Sequence, residues 1–353
     1  MTTDLAQARQ WAPALSELAG RIRNAARGAM REAFASGDLE RVTRPVGMGA
    51  GDVTFGVDEP TEEVLSTWLT ERARSAPLSL MTEDAGWRHL GPDGAGGTTE
   101  LPGFDHSGPR IAVDPIDGTR NLMADLRSAW SVIAFCGPGA GQPSMSDVCL
   151  GLVSEIPDSR AALFRSLEAF RGAGCRVQII HLESGELREE RALESDDEAR
   201  VDNGYFPFFA YMHDLRPPLA QLQADFFARL ARDEGADVRS CYDDQYISNG
   251  GQLVLLASGT YRLIVDARQW VARQAGQSTI TSKPYDLAGA VLCAREAGCV
   301  FTTIDGAALD FPLDTSTPIE WVGYANRATH DRLRPHLEAA LESVFGRGGS
   351  ANR

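Results

Sequence analysis

The chain has 353 residues, 43% of them hydrophobic, which is enough for a large buried core in one broad domain or two closely packed ones. No apolar run approaches the ~20 residues that span a bilayer, and residues 1–7 lack the features of a signal peptide, so we expect a soluble cytoplasmic protein without a membrane partner. The net charge of −15, without a basic stripe, argues against nucleic acid as a partner, and six scattered cysteines favour reduced thiols over zinc or disulfides.

The N-terminal part begins with apolar residues at helical spacing. They recur through residues 4–36, which predicts one long amphipathic helix. Residues 44–52 are rich in Gly and Pro. Because no Gly-Lys-Ser/Thr follows, this segment is not a P-loop, and a mobile surface loop is the prediction.

Acidic residues then follow at the ends of predicted elements. Asp58 and Glu62 lie at the start of a helix, where capping of that helix is the ordinary explanation for both. A strand over residues 78–81 leads into Glu83, and an acid at the end of a strand is usually solvated. Residues 91–108, rich in Gly, Pro and Asp, are predicted to be an inserted surface loop.

The stretch 111–119 holds the most informative pattern. Its first three residues are apolar and predict a buried strand, which Pro115 is expected to end at Asp114. The turn can aim Asp114 and Asp117 at one point, and Gly118 lets the backbone approach a ligand. Such a site could hold a hard divalent cation with a phosphate beside it, but a turn whose acids cap a helix is the alternative.

The segments after this motif predict an antiparallel sheet and then a helix. The predicted strands cover residues 129–136, 148–156, 161–165 and 177–182. Residues 183–203 are strongly acidic and are predicted to be a solvated excursion. Residues 218–232 carry an apolar face at helical spacing and predict a helix.

The C-terminal part contains two further acids of interest. A strand over residues 261–266 ends at Asp266, where a turn-forming role is the alternative to ligand binding. A polar insert, residues 268–282, separates it from Asp286, which lies in the first turn of a helix and could simply cap it. The last predicted elements are strands over residues 299–304 and 319–324, a closing helix over residues 327–345 and a disordered tail.

The hexapeptide Asp114-Pro-Ile-Asp-Gly-Thr119 resembles, letter for letter, the signature of the inositol monophosphatase and fructose-1,6-bisphosphatase superfamily. Other segments are similar to family motifs in the same order: residues 52–62, Glu83 followed by Asp84, the small-residue helix start at 248–259, and residues 283–290. In the last of these, Tyr285 stands where the family has Trp. The resemblance covers about residues 50–310.

The resemblance implies a fold class and a domain organisation. The fold is an α/β protein, a layered α+β sandwich of alternating helix and sheet layers. Residues 1–182 would form an N-terminal half and residues 183–353 a C-terminal half of one compact unit, with the site between them.

The resemblance also implies roles for individual residues. The implied metal ligands are Glu83, Asp114, the Ile116 carbonyl, Asp117 and Asp286. The implied catalytic residues are Asp58, Glu83 and Thr119. The implied substrate-binding residues are Asp117, Gly118, Thr119 and Asp266. These hard oxygen donors suit two or three Mg²⁺ ions, with Mn²⁺ also possible.

The implied function is Mg²⁺-dependent hydrolysis of a phosphate monoester on a polyol, sugar or nucleoside by activated water, so the expected partner is a phosphorylated small molecule. A bisphosphate phosphatase is the first alternative and would require a second basic pocket, which Arg268, Arg273 or Lys283 could supply. The second alternative is a non-catalytic relative that binds metal and has a regulatory role. The resemblance also implies a homodimer.

Overall fold

The computed structural model describes residues 3–48 and 53–346. Residues 49–52 of the predicted loop and the predicted disordered tail from residue 347 lie outside this part. The helices are α1 (Thr3–Ser36), α2 (Glu40–Thr43), α3 (Glu59–Ala73), α4 (Thr119–Met123), α5 (Arg216–Glu234), α6 (Asn249–Ala257), α7 (Arg268–Gln274), α8 (Pro284–Glu296) and α9 (Arg327–Phe345).

The strands form three sheets. They are β1 (Pro45–Met48), β2 (Val53–Phe55), β3 (Leu78–Thr82), β4 (Gly86–Pro92), β5 (Thr98–Glu100), β6 (Arg110–Asp117), β7 (Ala129–Cys136), β8 (Val148–Ile156), β9 (Leu163–Phe170), β10 (Cys175–His181), β11 (Leu187–Leu193), β12 (Leu263–Asp266), β13 (Val300–Thr302) and β14 (Trp321–Tyr324). The nine-stranded sheet has the order β11-β10-β9-β8-β7-β6-β3-β4-β5, the three-stranded sheet β12-β14-β13, and β1 pairs with β2. Only the β3–β6 pairing in the nine-stranded sheet is parallel.

Helices and sheets alternate in five layers. α1 and α3 cover one face of the nine-stranded sheet, and α6 and α8 cover the other. The three-stranded sheet lies beyond α6 and α8, and α5 and α9 close the stack. Along β12, Ile264 joins the core shared with α6 and α8, whereas Leu263 and Val265 join the core shared with α5 and α9. This alternation is what a strand buried on both faces requires, and the layering confirms the predicted α/β sandwich.

Three segments predicted to be irregular contain strands. β1 lies within residues 44–52, the predicted surface loop, and pairs with β2. β5 lies within residues 91–108 and pairs with β4, which extends the sheet edge, while residues 101–108 remain a loop as predicted. β11 lies within the acidic segment 183–203 and pairs with β10, so that segment is not wholly an excursion. Six of its seven side chains are exposed. Backbone pairing with an existing strand needs no apolar side chains, and the composition of these segments therefore did not indicate it.

β11 lies after residue 182, the predicted boundary between the two halves, and this division stays a prediction. In the part of the chain that the structure describes, no helix is long and apolar enough to cross a membrane.

Candidate active site

The centre of the site is an irregularity in β6. Pro115 was predicted to end the strand, but the strand continues to Asp117 with a register shift between Asp114 and Asp117. In a regular strand, residues three apart point to opposite faces, whereas a bulge can bring them to the same side. The strand thus accommodates Pro115 and brings both carboxylates to one cavity.

Asp117 is held by the start of α6. Its carboxylate accepts hydrogen bonds from Ser248 Oγ at 2.7 Å, from the Asn249 N–H at 3.1 Å and from the Gly250 N–H at 2.5 Å. Burial raises the pKa of Asp117 to about 6, although these three donors act in the opposite direction. Asp117 therefore caps a helix that begins 132 residues further along the chain, and not the adjacent α4.

Gly118 makes this contact sterically possible. Its φ is +96°, in the left-handed region, and a Cβ there would lie 3.0 Å from the Ser248 Cβ and 3.2 Å from the Ile247 carbonyl oxygen. A side chain would be strained both by the backbone angle and by the neighbouring segment. Glycine at this position keeps β6 and α6 close together.

Asp286 lies in the first turn of α8 and has two described donors. The Lys283 N–H donates to its Oδ2 at 3.0 Å, as in a capping box, and Asn249 Nδ2 donates to the same oxygen at 3.2 Å. The capping alternative is therefore realised, and the side chain still lines the cavity. Burial, together with Asp286 and Glu83, raises the pKa of the neighbouring Tyr285, which keeps this phenol protonated.

Asp58 and Thr119 face each other across the cavity. Thr119 Oγ1 lies 3.4 Å from Asp58 Oδ1 and 2.8 Å from the Ile116 carbonyl oxygen. The second oxygen of Asp58 accepts the Phe55 N–H at 2.8 Å, and its side chain does not cap α3. The capping explanation thus fails for Asp58, while its predicted proximity to Thr119 is observed.

Eight of the nine predicted site residues line one cavity. They are Asp58, Glu83, Asp114, Ile116, Asp117, Gly118, Thr119 and Asp286. Burial raises the pKa of Asp114 well above its usual range, and the carboxylates of Asp286, Asp117 and Glu83 raise it further. The four acids therefore converge closely enough to repel one another.

The donor set fits a hard divalent cation. Four carboxylates and the Ile116 carbonyl supply oxygen only, the ligand chemistry of Mg²⁺ and Mn²⁺. Within the described residues, no three His, Cys, Asp or Glu side chains form a ready-made metal cage. Asp114 accepts the Ile116 N–H at 3.0 Å, and Asp117 and Asp286 have the donors given above. A carboxylate offers about four lone pairs, so these side chains can keep their N–H donors and still bind a cation.

Asp266 is the ninth predicted residue, and it does not line this cavity. Arg268 Nε and Nη2 donate to its two oxygens at 2.8 and 2.7 Å, and Ser282 Oγ lies 2.7 Å from Oδ2. The side chains of Arg268 and Asp266 are only 3% and 1% exposed. Both oxygens of the carboxylate are thus engaged inside the protein, which does not favour the predicted contact with a substrate hydroxyl.

Sequence analysis did not assign the part of the cavity lining that comes from residues 209–211 and 268–283, here called the second wall. Residues of two distant segments form it, and those not considered as site residues are Phe209, Tyr211, Ile280 and Thr281. Arg268 and Lys283, considered there only as a possible basic pocket, also line the wall. The length and polarity of the 268–282 insert were the available signal for one side of this wall. No comparable pattern marks Phe209 and Tyr211.

A second cavity, of about 310 Å³, lies between α1 and the segments around residues 157–162 and 181–183. None of the nine predicted site residues lines it. The chemistry of the first cavity, rather than its size, identifies it as the candidate active site.

Solved structures with a similar fold are distant in sequence. A hypothetical protein from Pyrococcus horikoshii with similarities to inositol-1 monophosphatase is 14% identical, with 95% of this chain and 98% of that chain covered and a TM-score of 0.59. An inositol monophosphatase from Thermotoga maritima is 15% identical, with 94% and 99% covered and a TM-score of 0.57. The holo form of Leishmania major fructose-1,6-bisphosphatase is 11% identical, with 91% and 92% covered and a TM-score of 0.63.

Identities this low show the shared fold and nothing finer. A comparison with curated protein sequences gives no significant match. The model of the inositol monophosphatase family, in contrast, matches residues 14–342, which is nearly the whole chain and includes every predicted site residue. The chain therefore belongs to the inositol monophosphatase family and is a phosphatase of this metal-dependent superfamily.

Proposed function

We propose that this chain is a Mg²⁺-dependent phosphomonoesterase that hydrolyses the phosphate ester of a polyol, sugar or nucleoside. The observation that carries the proposal is the meeting of Glu83, Asp114, Asp117 and Asp286 in one cavity, with mutual repulsion that raises the pKa of Asp114. Four acids in one place are costly unless cations neutralise them.

Glu83, Asp114, the Ile116 carbonyl, Asp117 and Asp286 would hold two or three Mg²⁺ ions, and Mn²⁺ has the same ligand preference. When bound, such ions lower the pKa of coordinated water and stabilise a leaving alkoxide. The starts of two helices in the second half of the chain hold two of these ligands. Asp117 is fixed by α6, and Asp286 by the first turn of α8.

Asp58 and Thr119 would orient the attacking water. The Thr119 hydroxyl, 2.8 Å from the Ile116 carbonyl oxygen and 3.4 Å from Asp58 Oδ1, would turn its one proton to Asp58 once a cation takes that carbonyl. Its lone pair would then accept a hydrogen bond from the water that attacks phosphorus in line. The N–H groups of Gly118 and Thr119 stand at the start of α4, where such groups have no partner within a helix. They can donate to the phosphate oxygens and hold the ester in place.

The test is phosphate release by the full chain from inositol 1-phosphate, sugar phosphates and nucleoside monophosphates, with Mg²⁺, with Mn²⁺ and after chelation. We expect release from at least one ester with metal and none without it. Release that persists after chelation, or no release from any ester with either metal, would refute the proposal.

The ligand assignment has its own test. Asp286→Asn is expected to weaken Mg²⁺ binding, measured by calorimetry, and to abolish turnover while the circular dichroism spectrum is unchanged. A variant that keeps its turnover would exclude Asp286 as a ligand. The homodimer implied by the resemblance stays a prediction, which sedimentation of the full chain decides.

A further inference from the structure

Asn249, the first residue of α6, contacts two of the predicted metal ligands at once. Its backbone N–H donates to Asp117 Oδ1 at 3.1 Å, and its side-chain Nδ2 donates to Asp286 Oδ2 at 3.2 Å. The residue is 7% exposed and lines the cavity of the four acids. Because Asp117 belongs to β6 and Asp286 to α8, Asn249 joins carboxylates from two separate elements.

Capping of α6 does not explain the side chain of Asn249. The N-cap residue of this helix is Ser248, and its Oγ accepts the Gly251 N–H at 2.9 Å. A side chain at the first helical position is not needed for that bond. The amide of Asn249 instead leaves its own helix and reaches the first turn of α8, where Asp286 lies.

The amide is held from its other side by Ser282. Ser282 Oγ lies 3.0 Å from Asn249 Oδ1, and within the described part of the chain no other hydrogen bond reaches that oxygen. The two neighbours fix the orientation of the amide. If its oxygen and nitrogen were exchanged, an amide oxygen would face an Asp286 oxygen at 3.2 Å, and two acceptors repel each other.

Ser282 is held in turn by the buried pair of Asp266 and Arg268. Ser282 is 1% exposed, its Oγ lies 2.7 Å from Asp266 Oδ2, and Arg268 Nη2 donates to it at 3.3 Å. The hydroxyl has one proton and two acceptors within reach, Asp266 and Asn249. Because Arg268 donates to both oxygens of Asp266, that carboxylate does not depend on the Ser282 proton, and Asn249 Oδ1 can accept it. Buried polar groups therefore connect the ion pair to Asp286.

A neutral amide suits a position beside four converging acids. Its N–H favours the charged form of Asp286, which is the form that binds a cation, without adding another charge to the cavity. The hydrogen bond also restricts rotation of the carboxylate, so that less conformational freedom is lost when a cation binds. Since a carboxylate offers about four lone pairs, Asp286 can keep this donor and still bind the cation.

We propose that Asn249 is a positioning residue of the metal site, which holds Asp117 and Asp286 in the orientations that bind the cations. The pair of Asp266 and Arg268 supports Asn249 through Ser282. This inference rests on the proposed phosphomonoesterase activity. It gives Asp266 a role in the site without contact to a substrate hydroxyl, because the carboxylate acts on the metal ligands from inside the protein.

Removal of the amide gives the main test. Asn249→Ala deletes the side-chain bonds and leaves the backbone N–H to Asp117. We expect the Kd for Mg²⁺, measured by calorimetry on the full chain, to rise about tenfold to a hundredfold, the range for partners that orient a metal ligand. For an ester that the wild-type chain hydrolyses, saturating Mg²⁺ should restore most of kcat and leave KM unchanged.

Two outcomes of this test would overturn the proposal. An unchanged Kd for Mg²⁺ would show that the amide does not act on the ligands. A raised KM for the ester at saturating Mg²⁺ would show that the amide of Asn249 binds the substrate directly.

Gln252→Ala is the matched control. Gln252 is a buried amide on the same helix, and its Nε2 donates to the Tyr246 carbonyl at 2.8 Å and not to an acid. We expect this variant to lower the free energy of unfolding and to leave the Kd for Mg²⁺ unchanged. An equal rise of the Kd in both variants would refute the role of Asn249, because any loss of packing in α6 would then weaken the site.

A second variant keeps the test decisive if Asn249→Ala does not fold. Asn249→Ser removes the amide but retains a polar group at the start of α6, and the same rise in the Kd for Mg²⁺ is expected. The wild-type chain separates the two proposals. If it binds neither Mg²⁺ nor Mn²⁺ and hydrolyses no ester, the proposed function fails and this inference fails with it. If it binds Mg²⁺ and hydrolyses an ester while the variants bind Mg²⁺ as tightly, only the role of Asn249 is refuted.

Discussion

Two buried acids on strands, Asp114 within β6 and Asp266 at the end of β12, illustrate how differently this chain uses a carboxylate. Asp114 lies among three other acids and accepts one backbone N–H from Ile116. Asp266 lies against Arg268 and Ser282, and both of its oxygens are engaged. Both residues are at most 5% exposed. Burial is thus the same for the two acids, and the neighbouring charges differ.

The neighbouring charges distinguish an acid of the candidate active site from an acid that stabilises the fold. A buried acid surrounded by like charges destabilises the fold unless a cation binds, which is typical of functional positions. A buried acid paired with a guanidinium is neutralised within the protein, and removal of one partner leaves a charge without compensation. We therefore expect substitutions at the two positions to have opposite effects on activity and stability.

The largest expected effect is the loss of turnover in Asp114→Asn. Removal of a ligand from the predicted set should lower kcat by a factor on the order of a thousand or more. The same change removes a repelled charge, so the free energy of unfolding without metal should stay the same or rise by about 0.5–2 kcal/mol. Phosphate release and urea unfolding after chelation measure the two quantities.

Asp105→Asn is the matched control, because Asp105 is exposed and lies outside the cavity. Asp105→Asn should change neither kcat nor the free energy of unfolding without metal. A large loss of stability in metal-free Asp114→Asn would show that Asp114 supports the fold as Asp266 does, and the contrast between the two acids would disappear.

Asp266→Asn should behave in the opposite way. It leaves the guanidinium of Arg268 buried without its counter-charge, which typically costs about 3–5 kcal/mol of unfolding free energy. Urea unfolding at neutral pH measures this loss. The double variant Asp266→Asn with Arg268→Met removes both charges and should recover part of the loss, as a double-mutant cycle would report. An Asp266→Asn variant of normal stability with a raised KM would instead support the substrate role implied by the family resemblance.

The same contrast explains what the sequence could predict. The acids of the metal side lie in short motifs that resemble those of the family in the same order. The resemblance was therefore enough to predict that Asp58, Glu83, Asp114, Asp117 and Asp286 lie together. The layered fold followed from the same resemblance. Short apolar runs located most strands, and apolar residues at helical spacing located the long helices. α9 was predicted with its observed limits, residues 327–345.

The second wall depends on contacts that no local pattern encodes. Phe209 and Tyr211 reach Arg268 from a segment nearly 60 residues away, and Asp117 caps a helix that begins more than 130 positions further on. Asp266 and Arg268 are only two residues apart, but their pairing requires that α7 begin at Arg268. The shift of register at Pro115 likewise depends on pairing with β7, so proline alone suggested an end to the strand.

Glu62 offers the smallest test, because it is a half-buried acid outside the predicted ligand set, and the nearby Arg88 guanidinium offsets only part of the rise in its pKa. Burial raises its pKa to about 7, and Asp84 adds to the shift. Since the folded pKa lies above that of the unfolded chain, the native state binds its proton more tightly. The resulting penalty is absent below about pH 4.5, grows between that pH and about pH 7, and is constant above it.

Glu62→Gln should therefore raise the free energy of unfolding by about 2 kcal/mol at pH 8 and by close to nothing at pH 4. Urea unfolding of the chelated protein at both pH values measures the difference. Glu63→Gln, at the adjacent exposed position, is the matched control and should show no such pH dependence. A gain that is equal at both pH values would mean that packing, and not the proton, accounts for it. The comparison of buried acids would then rest on Asp114 and Asp266 alone.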